Sequence, residues 1–261
     1  MALGFGGIEA MGRALADARQ AGEPTDAIDL RRIGDANEAE AVQASAVRHL
    51  GAAQVGYAVR ATTPLCARLL RCDEPPVAPL LREYILADGA RFRLPPGVVG
   101  VGAGFTFLVG RPFPFSDEER LDADHAAGAC VSCHLDIHVL GRRVAHGAPL
   151  NPWTAAADFG LDVVHVLGPG VRGWLPADLA EAEGVLTLDG HVVARGRGGA
   201  IPSGPLAPLV RLAGDVARRG PCLNVGDLVS TGSVIGLIKP IPGQTVRADF
   251  GPLGRLTLYV D

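Results

Sequence analysis

Lysine is nearly absent from this chain of 261 residues: it occurs once, at Lys239, and every other basic side chain is arginine or histidine. Arginine stays charged and is a poor proton shuttle, so lysine catalysis rests on Lys239 or is excluded. No run of about 18 apolar residues occurs, so no helical membrane span is expected. There is no basic tail, and a net charge of −4 argues against a nucleic-acid partner. The start, Met1 to Gly7, lacks a charged opening and a long apolar core, and Glu9, Arg13, Asp17 and Arg19 follow at once. That is not a signal peptide, and a cytoplasmic location is expected. Five cysteines, an odd number, argue for reduced thiols rather than a disulfide frame. What is abundant is apolar residue: 48% of the chain is hydrophobic, enough for a sizeable core. The length suits an N-terminal helical segment, 1–53, before one large domain, 54–261.

The densest chemistry lies in Cys130-Val131-Ser132-Cys133-His134-Leu135-Asp136-Ile137-His138. Cys-x-x-Cys-His is the spacing of c-type haem attachment, but that chemistry belongs to exported proteins and the N-terminus does not read as exported. Alternatively, His134, Asp136 and His138 alternate with Leu135 and Ile137, as on a strand with one polar and one apolar face. Such a strand is either an active-site strand or an edge strand with a solvated face.

Around it the pattern is mixed. Ile8–Ala21 reads as a helix ended by Gly22, and a second helix runs from a capping Asp35 to Leu50, with Glu38 placed for a capping box. Gln54–Thr62 alternates as a strand, and Thr63-Pro64 opens a short helix. Residues 73–97 read as loop and short strand. Val98–Val109 reads as a strand whose glycines, Gly100, Gly102 and Gly104, share one face and leave a bare strip of backbone. Ser116–Ala129 is predicted as a helix led by Asp117, Glu118 and Glu119. Residues 141–157 read as irregular, 162–167 as a strand, and 169–183 as a connection. Val185–Ala194 reads as a hairpin about Asp189-Gly190, and Pro205–Arg219 as a helix.

The tail, Asn224-Val225-Gly226-Asp227-Leu228-Val229-Ser230-Thr231-Gly232-Ser233 followed by Val246–Gly254, resembles the C-terminus of the 2-keto-4-pentenoate hydratase and 4-oxalocrotonate decarboxylase family, within the fumarylacetoacetate hydrolase superfamily. Glu40-Ala41-Val42-Gln43, Gly56-Tyr57, Cys72-Asp73-Glu74-Pro75, Phe107–Arg111 and Val166-Leu167-Gly168 match it in order, so the resemblance runs from about residue 14 to the end. It implies an α+β fold, a mixed β-roll with flanking helices, usually oligomeric, serving aromatic catabolism. It also implies a divalent metal held by a Glu-x-Glu strand and a third acid. That metal polarises a 2-keto acid so that an enol or dienol forms.

The departures fall on the site. Gly102 and Gly104 stand where the resemblance implies the two glutamates, and Ala58 where it implies a lysine. The third acid aligns near Asp136, with His138 an equal fit from the downstream side. Asp158 remains, but Phe159 replaces the asparagine beside it; Thr62, Thr63, Thr231, Gly232 and Ser233 remain. Oxygen-rich Mg²⁺ or Mn²⁺ sites need carboxylates, so neither ion, and no other cofactor, is expected. Zn²⁺ on His134, Asp136 and His138 is the weaker alternative, because successive same-face positions rarely converge on one ion.

The first functional expectation is therefore a metal-independent lyase or isomerase for a small 2-keto acid or dienoate-like substrate. His134, Asp136 and His138 would supply acid–base groups. Arg60 would hold a substrate carboxylate. Thr62, Gly102, Gly104, Asp158, Thr231 and Ser233 would line the pocket. The second is a non-catalytic partner or scaffold subunit. A homo-oligomer is expected, with a hetero-complex with an active homologue as the other possibility. Haem or metal redox at Cys130 and Cys133 is a remote third.

Overall fold

A computed structural model describes residues 3–116, 119–145, 150–220 and 222–261. Helix α1 (Phe5–Ala21) ends where Gly22 turns left-handed at φ +67°. Helix α2 (Ala36–Leu50) starts at Asp35, whose carboxylate accepts the Glu38 N–H at 2.9 Å, and ends at Gly51. The two helices pack closely: a side chain at Gly12 would collide with Ser45. Met11, Leu15, Ala39, Val42 and Ala46 share one hydrophobic cluster with Leu81, Ala157 and Phe159 from farther along the chain. The expected boundary at residue 53 falls between α2 and the first strand, and apolar contacts cross it.

Strands β1 (Gln54–Val59), β2 (Val77–Leu81), β3 (Ile85–Ala87), β5 (Val98–Val109), β6 (Cys130–Gly141), β7 (Asp162–Val171) and β10 (Leu228–Ile238) form a mixed seven-stranded sheet. Its order is β2-β1-β10-β5-β6-β7-β3. A second sheet, of five strands, runs β4 (Ala90–Phe92), β12 (Arg255–Val260), β11 (Thr245–Asp249), β8 (Glu183–Leu188), β9 (His191–Arg197). In the larger sheet β5 runs antiparallel to both β6 and β10, and Gly102 lies opposite His138, Gly104 opposite Asp136, Thr106 opposite His134.

Strand alternation then sorts the side chains. Val101, Ala103, Phe105 and Phe107 of β5 and Cys133, Leu135, Ile137 and Val139 of β6 enter the main core, with Leu186, Val246, Ala248, Leu256 and Leu258 of the other sheet. The opposite face, carrying Gly102, Gly104, Thr106, Asp136 and His138, is buried as well. Polar groups on a buried face need partners, and those partners define the site.

Several predicted elements differ in extent. The strand predicted over 54–62 stops at Val59, and Ala61 then takes a left-handed φ of +58°. The helix predicted over 116–129 is observed as α4 (Ala123–Ala129), capped by Asp122; Asp117 and Glu118 lie outside the described residues. The stretch predicted as irregular contains α5 (Pro152–Ala157), built on an Asn151–Thr154 capping box too short to show a period; residues 146–149 are outside the description. β7 continues to Val171 through Gly168-Pro169-Gly170, and the expected connection contains α6 (Pro176–Glu181). α3 (Pro64–Leu70) and α7 (Ala207–Ala217) lie where helices are expected. Among the described residues no helix is long and apolar enough to cross a membrane.

Candidate functional site

Five elements converge on one buried polar cluster. Arg60, just past β1, donates from Nε to Asp162 Oδ1 at 2.7 Å and from Nη1 to Ser230 Oγ of β10 at 3.0 Å. Its Nη2 lies 2.6 Å from the same Asp162 oxygen and 2.7 Å from His165 Nε2. His165 faces Asp136 through Nδ1 at 2.9 Å and Asp162 Oδ2 through Nε2 at 3.1 Å. Asp136 also accepts from Thr106 Oγ1 at 2.9 Å and Ser230 Oγ at 2.8 Å. Arg60, Asp136 and His165 are each at most 2% exposed.

The charges balance. Burial pushes the His165 imidazole down, but Asp136 and Asp162 more than reverse this and hold it up at about 9. Burial alone would raise both carboxyls; His165 and the neighbouring His138 hold Asp136 well below the usual carboxylate range, and Arg60 and His165 hold Asp162 at about 2. Two cations therefore neutralise two carboxylates inside the protein. As an imidazolium His165 donates to both acids, and Arg60 Nη2 turns its N–H to Asp162.

His138 is the exception in this network. Its ring is fully buried, and neither nitrogen has a hydrogen-bond partner among the described residues. Nδ1 stands 3.6 Å from Asp136 Oδ2, too long for a hydrogen bond. Burial, helped by the nearby Arg60 and His165 charges, depresses its pKa against the pull of Asp136, so the ring is neutral near pH 7. It then carries one N–H and one lone pair, both uncommitted.

The glycine strip is not open. A Cβ on Gly102 would collide with Ser233 Oγ, would lie 2.9 Å from His138 Nε2 and 3.1 Å from Leu237 Cδ2; one on Gly104 would run into the Gly232 carbonyl. The space that side chains at 102 and 104 would need holds His138, Ser233 and the β10 backbone. Gly102 and Gly104 therefore floor the cluster.

Other expected site residues also stand differently. His134 shares the strand face but not the cluster, and the β6–β7 pairing shifts register between it and Asp136. It contacts the Gly168 carbonyl at 2.8 Å and Ser132 Oγ at 3.0 Å beside an outer crevice. Arg60 binds an internal carboxylate where a substrate's was expected. Thr62 donates to the Thr231 carbonyl at 2.8 Å, Thr231 to the Phe105 carbonyl at 3.3 Å, and Ser233 to the Ile235 carbonyl, with the Ala103 carbonyl at 3.4 Å on its other side. Each hydroxyl has one proton to donate, and each is spent on the main chain. Asp158 is held by Arg143, through the backbone N–H at 2.9 Å and Nη1 at 2.9 Å. Burial pushes the Cys130 thiol up to about 12 and the Cys133 thiol higher still. Cys133 lies in the apolar core, on the strand face opposite His134, so the Cys-x-x-Cys-His stretch presents no haem attachment site.

Sequence reasoning missed Asp162, His165, Thr106 and Ser230. On a regular strand residues 162 and 165 would face opposite sides. A register shift between Val139 and Leu140 against β7 brings both to Asp136. The available signal was a lone histidine inside Val163-Val164-His165-Val166.

A divalent ion does not fit these residues. Asp136 is the one acid of the cluster near the aligned position, and its oxygens already receive Thr106, Ser230 and His165. Gly102 and Gly104 supply no side-chain oxygen, and the cluster's negative charge is already balanced by Arg60 and His165. Mg²⁺ asks for several oxygen ligands.

No family model matches the chain. It is 23% identical over 255 residues to a 2-keto-4-pentenoate hydratase of Paraburkholderia xenovorans (strain LB400), covering 95% of this chain and 93% of the relative. A 4-oxalocrotonate decarboxylase of Pseudomonas sp is 31% identical over 80 residues, 31% of each chain. Among solved structures, 4-oxalocrotonate decarboxylase from Pseudomonas putida G7, complexed with magnesium and adipate, superposes with a TM-score of 0.85 over 99% of both chains at 18% identity. Fumarylpyruvate hydrolase from Pseudomonas aeruginosa, in complex with Mn²⁺ and pyruvate, gives 0.53 over 78% of this chain and 88% of its own at 15% identity. The structural likeness is one of fold: mixed sheets with helices, of the fumarylacetoacetate hydrolase kind.

Proposed function

We propose that this chain, a relative of the 2-keto-4-pentenoate hydratases and 4-oxalocrotonate decarboxylases, is a lyase- or isomerase-type enzyme for a small 2-keto acid or dienoate-like carboxylate, working without a divalent ion. The finer description of its fold as a mixed β-roll after a helical N-terminal segment, and a homo-oligomeric state, belong to the same reading.

One observation carries it: a buried, neutral, unpartnered His138 beside an Asp136 held ionised. With Nδ1–H turned toward Asp136, the Nε2 lone pair lies over Gly102 and Ser233. There it accepts a proton from the carbon next to a substrate carbonyl and returns it farther along the chain. That is the proton movement of an isomerisation, and its second half serves hydration. Stabilising the dienolate formed in between requires Arg60 to turn an N–H toward it from Ser230 or Asp162. Leu237, packed over Gly102, must move for a substrate to enter.

The test is deuterium exchange and turnover of 2-keto-4-pentenoate in D₂O, followed by NMR with a chelator present. Exchange should persist with the chelator and fall by about 10²- to 10⁴-fold in His138→Asn, the range for loss of a general base. Exchange that needs added Mg²⁺ overturns the metal-free chemistry.

A second reading is favoured by the burial of the whole cluster: a non-catalytic relative that supports an active homologue as a partner or scaffold subunit. Absence of exchange under every condition, together with a stable complex with such a homologue on native mass spectrometry, would decide for it.

A further inference from the structure

A crevice of about 200 Å³ lies between α1 and the turn after β6, away from the cluster above. Among the described residues four arginines line it, Arg19, Arg93, Arg142 and Arg143, with one acid, Glu23. Its other walls are apolar: Tyr84, Phe92, Pro95 and Pro96.

Arg19 is the residue that needs explaining. It is 9% exposed and has no carboxylate within 4.0 Å among the described residues. Its guanidinium lies between two rings, 3.9 Å from the Tyr84 centroid and 4.7 Å from that of Phe159. Nη1 donates to the Asp162 carbonyl at 2.6 Å and Nη2 to the Val163 carbonyl at 3.2 Å. Two of five N–H donors are thus used, and Nε–H has no partner. Pinning α1 to β7 accounts for the two carbonyl contacts. It does not account for the Nε–H, buried and without a partner among the described residues, which is costly. Arg143 adds no relief, since its own charge is matched by Asp158. Burial and the adjacent Arg143 push the Arg19 pKa down to about 9, against the pull of Tyr84 and the Asp162 carboxylate.

We propose that this crevice binds a small carboxylate with an apolar body, the carboxylate answering the charge of Arg19 and the body lying against Tyr84, Phe92 and the prolines. Size supports one ring: a cavity of about 150 Å³ accepts benzene, and this one adds room for a carboxylate. The apolar walls disfavour a compact, strongly hydrated dianion such as phosphate. The crevice and the buried cluster meet at one residue, because Arg19 and Arg143 both donate to the Asp162 carbonyl while the Asp162 side chain holds Arg60 and His165. Occupancy should therefore stiffen the cluster, whatever the cluster does.

The experiment is calorimetric titration and thermal melting of the full chain with benzoate, its neutral analogue benzamide, and inorganic phosphate. Benzoate should bind saturably at one site and raise the melting temperature; benzamide and phosphate should do neither. Arg19→Met should abolish binding. Because a change at a buried residue can prevent folding, Arg93→Gln and Arg142→Gln at the rim are made as well. Each should weaken benzoate about tenfold, the scale of one charge-assisted contact. Equal binding of benzamide, binding of phosphate, no saturable binding of benzoate, or benzoate affinity unchanged in both rim variants overturns the proposal.

Discussion

Arg60 and Asp162, 102 residues apart in the chain, meet with Nε 2.7 Å from Oδ1. Their strands, β1 and β7, are four neighbours apart in the sheet. A flat sheet would separate them by about 19 Å at ~4.8 Å per strand, far beyond the reach of one arginine. The contact therefore requires the sheet to curl with its polar face concave, and it closes that face around Asp136 and His138.

Removing Arg60 should leave Asp162 buried beside a single remaining cation. Arg60→Met is expected to cost about 3–5 kcal/mol, as for other broken buried pairs. Arg60→Lys should rescue little, since a point charge cannot direct separate N–H groups to Asp162 and Ser230. Urea unfolding measures both. A loss under about 1 kcal/mol for Arg60→Met, the scale of a surface pair, would show that the pair is not the closure of the sheet.

Gly102→Ala and Gly104→Ala should each be destabilising by about 1–3 kcal/mol, the cost of overpacking. Position 104 should suffer more, because its obstacle is the Gly232 carbonyl, whereas at 102 the obstacles are side chains. Adding Ser233→Ala should recover part of the loss at 102 and none at 104. Denaturant midpoints of the two single and two double variants check the order.

The wild type should retain no stoichiometric Mg²⁺ or Mn²⁺ after dialysis, as elemental analysis would read. Gly102→Glu with Gly104→Glu should not restore binding, because the volume and the charge of the site are already taken by Ser233, His138, Arg60 and His165. One equivalent of metal in the double variant would show that the cluster opens readily.

Stability should depend on pH through His165. Its folded pKa of about 9 lies above the ordinary 6.5, so its contribution is complete below 6.5 and disappears as pH rises through 9. Asp162, held at about 2 against an ordinary 3.8, contributes above 3.8 and loses its share as pH falls toward 2. His138 opposes His165: its pKa is depressed, so the unfolded chain protonates first and stability declines as pH falls through 6.5. The difference in unfolding free energy between wild type and His165→Gln isolates the first effect. It should shrink between about pH 6.5 and 9; a constant difference would mean that His165 is not an imidazolium.

Local pattern alone determined much of this protein. Alternation in Val98–Val109 and Cys130–His138 specified two strands and the apolar face each gives to the core. Capping at Asp35 and Thr63 specified two helix starts. The ordered matches in the tail pointed to the relatives, and the resemblance set Gly102 and Gly104 against the two glutamates it implies. Asp136 and His138 were legible as site candidates because polar groups on a strand between apolar neighbours must face somewhere, and Arg60 because it directly follows the strand Gln54–Val59.

Tertiary structure alone decided what those groups face. A register shift, invisible to a period of two, brought Asp162 and His165 onto one side of β7. Curling of the sheet carried Arg60 to Asp162 and filled the glycine strip with His138 and Ser233. Alternation is a property of adjacent residues and is written in the chain. Which charge neutralises which depends on how strands in one sheet are staggered and bent, and that is settled only when the whole sheet packs.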